Sequence, residues 1–231
     1  MLRATKRRRI ACTAATLTAA FCGCIARAET PANSVKIGYA RVSFNWSSGD
    51  LAGPLGTTPP GVTVDTEDTS TIALVLDRRL VGPVSLVFQV GAPPVVHLIG
   101  PAPLGEVGTT RAWFPAVLAK YSFSLPGFTP YIGAGANYTW FTDNEVRPSY
   151  TAAFGGTHSS GSLSSHVGPV VKTGVTIPFA SRWTVDLSYS RYWINTSATV
   201  NTDTPGLGVI SRKIDLTADP DIFGLAIGYV F

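Results

Sequence analysis

The chain has 231 residues, 45% of them hydrophobic and 14% charged, with 18 Lys and Arg against 14 Asp and Glu and a formal net charge of +4. Six of the basic residues and none of the acidic ones lie before position 29, so the remainder carries 12 against 14, or −2, and offers no basic footprint for nucleic acid. Cys12, Cys22 and Cys24 all fall in that same leading segment, which excludes disulfide and thiol chemistry from the rest.

In chain order, Arg3 and Lys6-Arg7-Arg8-Arg9 precede an apolar stretch from Ile10 to Ile25 and then Ala26-Arg27-Ala28. A positive start, a short apolar run and an A-x-A site read as a secretory signal, residues 1–28, cleaved after Ala28. Residues 29–231 then form one domain. No later stretch is long and apolar enough for a transmembrane helix. If this domain sits in a membrane it must be a closed barrel, because lipid offers no hydrogen-bond partner to an open sheet edge.

Alternation, β-branched and aromatic content and turn residues predict strands at 35–46, 70–79, 83–93, 110–123, 128–141, 163–179, 183–194 and 209–231. Eight is an even number, as in single-chain bacterial barrels. The predicted connections alternate without exception. Long ones at 47–69, 94–109, 142–162 and 195–208 are separated by short ones at 80–82, 124–127 and 180–182. Long outer loops and tight inner turns produce this rhythm in a membrane barrel. A soluble sandwich, the alternative for the last strand taken alone, has no reason to put every long loop at one end. Within the strands, Ile37, Tyr39, Leu86, Phe88, Ile132, Leu187 and their period-two neighbours make an outward apolar face. Small or polar residues such as Gly38, Gln89, Gly133 and Ser188 face inward, as the narrow lumen of eight strands requires. Pro115, Pro169 and Pro220 interrupt the pattern, and each implies a bulge or a strand end.

From Phe223 to Phe231 bulky and small residues alternate to the last position. This ending resembles the closing strand of bacterial outer-membrane barrels, in which a terminal aromatic forms part of the assembly signal. Tyr229 and Phe231 are the candidates here, and the resemblance implies the barrel assembly machinery as a partner. Further residues resemble one family in particular. Pro130-Tyr131-Ile132-Gly133-Ala134-Gly135-Ala136-Asn137-Tyr138-Thr139-Trp140-Phe141 is similar to the fifth strand of the OmpW family of small outer-membrane proteins. Pro115-Ala116-Val117-Leu118 is similar to its fourth-strand motif, and Asp219-Pro220 stands before the terminal strand as it does there. The resemblance implies an all-β, eight-stranded antiparallel transmembrane barrel in the bacterial outer membrane. It further implies a narrow, largely apolar lumen passing small hydrophobic compounds.

Two groups of residues bear on function. Lys36, Lys120, Lys172 and Asp186 fall on inward positions of the middle barrel. Buried charges must be paired or hydrated, so three Lys call for another acid, with Asp77 the candidate. They read as a salt-bridge plug, against a polar conduction path. Phe44, Trp46, Val95, Val96, Leu98, Ile99, Phe141, Tyr192 and Trp193, with Trp140, gather near the outer strand ends and second loop. They line either an apolar pocket for a small solute or a core for strand extensions above the membrane. From such a pocket, an apolar solute blocked along the axis would leave sideways into the outer leaflet, where Pro93, Pro94 and Pro115 remove ladder donors. The alternative is a sealed structural or adhesive barrel acting through its loops. Nothing marks an enzyme. His158-Ser159 has no acid placed to orient the imidazole. His97, His158 and His166 lack metal-ligand spacing, and no cofactor fingerprint appears.

Overall fold

A computed structural model describes residues 33–231 of the chain. The predicted signal, residues 1–28, lies outside the described residues.

Eight strands close a barrel: β1 (Asn33–Phe44), β2 (Thr69–Val81), β3 (Val84–Gly91), β4 (Ala116–Ser122), β5 (Thr129–Val146), β6 (His166–Pro178), β7 (Trp183–Tyr192) and β8 (Pro220–Val230). Each pairs antiparallel with the next, and β8 returns to β1 from Ser34↔Val230 up to Phe44↔Pro220. Closure removes every edge, which is the condition for a sheet to stand in lipid. The final residue belongs to the seam: the Phe231 N–H donates to the Asn33 carbonyl at 2.9 Å, and the Asn33 N–H donates back at 3.0 Å. Among the described residues no helix is long and apolar enough to cross a membrane. The crossing is made by strands.

The register obeys the alternation. Ile37, Ile72, Leu86, Val117, Ile132, Val171, Leu187 and Leu225 all face outward and stay exposed, one or more from each strand, while Lys36, Gln89, Lys120, Asn137, Thr184 and Asp186 face the lumen and are buried. A soluble protein would not leave so many large apolar side chains uncovered; here lipid is the solvent that covers them. The outward face of β2, with Ile72, Leu74 and Leu76, completes the belt, a strand for which the alternation alone gave no assignment. Tight turns at 82–83, 123–128 and 179–182 join strand pairs at one end. Gly127 at φ +85° supplies a left-handed position that a residue with Cβ would adopt only under strain.

Two predicted strands are broken in two by proline. The stretch 110–123 divides at Phe114-Pro115: Glu106–Trp113 belongs to an outer sheet, and the barrel strand starts at Ala116. Likewise 209–231 divides at Ala218-Asp219, so the barrel strand starts at Pro220, and Gly208–Thr217 forms a hairpin with Asn195–Thr204. The predicted loop 195–208 is therefore mostly strand. Pro169 stays inside β6, where the β6–β7 ladder begins. Its carbonyl accepts from the Trp193 N–H at 3.2 Å, so its missing donor points toward the place where that pairing starts.

β5, at 18 residues, is longer than the 9–11 that a membrane crossing needs. Its upper part rises out of the membrane and carries Glu106–Trp113, which pairs in turn with Val95–Ile99 and then Asp65–Thr66. A second sheet joins His158–Leu163, the 195–217 hairpin and Ser47–Ser48. A short helix, α1 (Pro148–Ala153), links β5 to it. The long connections thus build a folded extracellular layer with a core of its own.

Candidate functional site

The lumen is filled from the periplasmic side upward by paired polar side chains. Lys36 on β1 reaches across to Asp186 on β7 at 2.5 Å, with both side chains about 95% buried. The other Asp186 oxygen accepts from the Tyr131 hydroxyl at 2.9 Å, and Thr176 donates to the first at 2.7 Å. Lys120 pairs with Asp77, and Lys172 donates to the Gln89 side-chain carbonyl at 2.8 Å. Lys36 and Lys120 both stand over the Tyr131 ring, 5.5 and 5.0 Å from its centre, where the ring quadrupole attracts them. Gly174 makes room for the ring: a Cβ there would sit 2.5 Å from the Tyr131 hydroxyl. Lys36 and Lys120 are thus answered by one Asp each and share an aromatic face, while Lys172 is answered by the Gln89 amide oxygen. Tyr131 lies on the same face as Gly133 and Gly135, so the alternation that assigned those residues inward also reaches it.

Above this network the lumen turns apolar. Val42, Leu118, Val170 and Tyr192 are almost completely buried, with Phe114 set edge-on to Tyr192 at 5.8 Å. The Gln89 amide donates to the Tyr192 hydroxyl, which ties the apolar seal to the charged network below it. A cavity of ≈ 50 Å³ remains between these layers, lined from β1, β2 and β3, by Phe114 and Tyr192, and from the far side by Lys172, Ser190 and Ile222.

Of the sequence-predicted apolar group, Tyr192 lies at the centre of this seal together with Val96, and Phe44, Trp46, Leu98 and Phe141 pack against it. Val95 and Ile99 sit on the opposite face of their strand from Val96 and Leu98, and join neither apolar cluster of the described residues. Trp193, next to the inward Tyr192, also joins neither. Trp140 stacks outward between Trp113 and Tyr138, at 5.6 and 5.4 Å.

A second apolar cluster lies in the extracellular layer. It comprises Leu51, Val107, Tyr150, Ala198, Ile214 and Leu216, with Trp46 and Leu98 shared between the two clusters. It encloses a cavity of ≈ 60 Å³ whose lining is almost wholly apolar. Sequence reasoning allowed a core for strand extensions above the membrane but missed these residues: Leu51, Val107, Tyr150 and Ala198 fall in stretches read as loops, and Ile214 and Leu216 in the predicted last strand. The available signal was the period-two row Ile210, Arg212, Ile214, Leu216, which was merged into the last barrel strand.

The wall of the barrel is also incomplete at one place. The β3–β4 ladder runs from Val84↔Tyr121 to Gln89↔Ala116, and the chains meet again only where the Ala112 N–H donates to the Pro94 carbonyl at 3.2 Å. Residues 90–93 and 113–115 between these points share no ladder pair. Pro93 and Pro115 stand in that interval, and Val90, Gly91 and Phe114 from its two sides line the 50 Å³ cavity.

Among the described residues, His158 and Ser159 are not brought together as a pair. Ser159 stands on a strand and not in an irregular loop. Its hydroxyl donates to Thr202 at 3.1 Å and accepts from Thr151 at 2.9 Å, while His158 points to the other face. Among the described residues no three His, Cys, Asp or Glu side chains group closely enough to hold a metal ion.

A closed eight-stranded antiparallel barrel with a lipid-facing belt, a paired-charge lumen and a folded outer layer defines a bacterial outer-membrane protein. The sequence profile of the OmpW family matches residues 60–231, and the chain belongs to that family. It is 30% identical to outer membrane protein W of Escherichia coli K12 over 142 residues, a match spanning 61% of this chain and 63% of that protein. It is 24% identical to the dibenzothiophene metabolism operon protein PahQ of Pseudomonas aeruginosa over 207 residues, 88% of this chain and 90% of that one. Among solved structures, the outer membrane protein OprG of Pseudomonas aeruginosa superposes with a TM-score of 0.78 at 21% identity, covering 87% of this chain and 96% of OprG.

Proposed function

We propose that this barrel passes small hydrophobic molecules from its apolar extracellular layer sideways into the outer leaflet. The observation that carries the reading is the unpaired interval between β3 and β4, with an internal cavity lined from both of its sides. The axis is closed by buried ion pairs, so a solute that enters has its least obstructed exit through the wall. Pro93 has no N–H to donate across the gap, whereas the Pro115 carbonyl accepts from the Tyr138 N–H, so its missing donor lies on the β5 side. Trp46 and Leu98, which belong to both apolar clusters, connect the outer cavity with the seal. The name of PahQ, a relative matched along nearly its whole length, attaches it to the metabolism of an apolar aromatic heterocycle. Uptake of radiolabelled toluene by cells expressing the protein should exceed that of cells lacking it by several fold. Leu98→Asp, which puts a carboxylate between the clusters, should abolish the difference while the barrel stays folded. Equal uptake in all three strains would favour the sealed adhesive barrel.

The C-terminal strand supports an assembly role in the same way. Tyr229 packs on Trp183 at 5.1 Å and Phe231 is largely exposed beyond the seam, which leaves its ring free for recognition by the assembly machinery. Deleting Phe231 should lower the amount of folded protein in the outer membrane severalfold, measured by heat-modifiable migration on gels. Unchanged levels would refute the role.

A further inference from the structure

Lys172 is a lumen cation with no acid of its own. Lys36 and Lys120 each meet an Asp, but Lys172 forms no ion pair among the described residues. Its one hydrogen bond goes to a neutral group, the Gln89 side-chain carbonyl at 2.8 Å. An ammonium offers more donors than that single bond uses. A charge drawn out of water without an opposite charge beside it is costly, and Lys172 is largely covered.

Ser190 stands next to it. The two residues are partners across the β6–β7 ladder and share the inward face, and Cβ atoms of such a pair lie about 4.5–5.5 Å apart. Ser190 is 3% exposed, and its hydroxyl makes no hydrogen bond among the described residues. Both residues line the 50 Å³ cavity, together with Gln89 and the small Ala73. Gly91 and Phe114, from the two sides of the unpaired interval, line it as well. The cavity therefore has a polar end, with one charged donor and one neutral donor side by side, and an apolar end at the wall. On a scale where one water takes about 10–15 Å³, 50 Å³ has room for about four waters, or roughly a carboxylate on a short chain.

We infer that this cavity is a binding site for a small carboxylate, a short-chain acid with one oxygen accepting from the Lys172 ammonium and the other from the Ser190 hydroxyl, its apolar tail toward Gly91 and Phe114. The ligand brings the negative charge that Lys172 lacks, and a hydrogen bond between two charged groups is the stronger kind. The assignment rests on the reading of this cavity as the solute's way to the wall, and names the class of solute held there. The neutral hydrocarbons of the transport reading make no use of either donor.

Calorimetric titration of the folded protein in lipid nanodiscs, with propionate and its neutral isostere propionamide as probes, tests this. Propionate should bind at least ten times more tightly than propionamide. Lys172→Met should bring propionate down to the propionamide level, and Ser190→Ala should weaken it severalfold. Ala73→Leu, which keeps both donors and fills the cavity, should abolish propionate binding. Should Lys172→Met fail to fold, the selectivity of the unaltered protein and the other two variants still decide. Equal affinity for the two probes, no binding of either, or propionate binding untouched by the variants would overturn the assignment and leave Lys172 as a partner of Gln89 alone. Toluene carries no carboxylate, so its uptake reports on passage through the wall and the titration on the site, and either can fail without the other.

Discussion

Asp186→Ala lowers the folding stability of the barrel by about 3–5 kcal/mol, the usual result of removing one partner of a buried ion pair. Asp186 receives Lys36, Tyr131 and Thr176 at once. Its loss strands a Lys whose side chain is about 95% buried and whose remaining contacts are the Thr176 hydroxyl at 3.3 Å and the Tyr131 ring. The cost comes from the charge left behind and not from the attraction lost, and this distinction can be tested. The double variant Lys36→Met, Asp186→Leu removes both charges, so it should recover most of the deficit, because the favourable pairing was largely offset by desolvation. Urea unfolding of the refolded protein in lipid vesicles measures all three. A double variant as unstable as Asp186→Ala would mean that the network's hydrogen bonds, and not its uncompensated charge, hold the lumen closed.

Leu187→Arg should cost roughly 2–4 kcal/mol, and Ile177→Arg only about 0–1 kcal/mol. Both residues face lipid, on neighbouring strands. They differ in depth. Ile177 lies one residue from the end of β6, close to the tight turn and the Phe179 and Trp183 girdle. Leu187 lies four residues above Trp183, about 13 Å along the strand and roughly 10 Å in height once strand tilt is allowed for, which is near the middle of an apolar band about 25 Å tall. A guanidinium at the lower site can reach the headgroups; at the upper site it cannot. Unfolding in vesicles reads both, and equal costs would show that the membrane plane cuts the barrel elsewhere.

The barrel and its register were legible in the sequence because lipid makes the period-two code unusually strict. A side chain such as Leu187 or Ile132 must be apolar, and its neighbour must be small or polar, over eight strands in succession. The membrane also forbids an open edge, so the count of strands and the rhythm of long and short connections follow from the same solvent. The inward positions of Lys36, Lys120, Lys172 and Asp186 were visible for that reason, and the need for a further acid followed from charge balance alone.

What only the tertiary structure decided lies where that constraint ends. Above the membrane water can satisfy a backbone, so strand limits there are set by proline and by packing; Pro220 marks a break in 209–231, but nothing local says that 208–217 belongs to a different sheet. Pairing partners are long-range: that Lys120 answers Asp77 and Lys172 answers Gln89 depends on register across strands, which no local pattern encodes. Period two also settles a side chain's face and not its neighbour. It therefore could not set Val95 and Trp193 apart from Val96 and Tyr192 as pocket residues, nor set Lys172 beside Ser190 on the wall of one cavity.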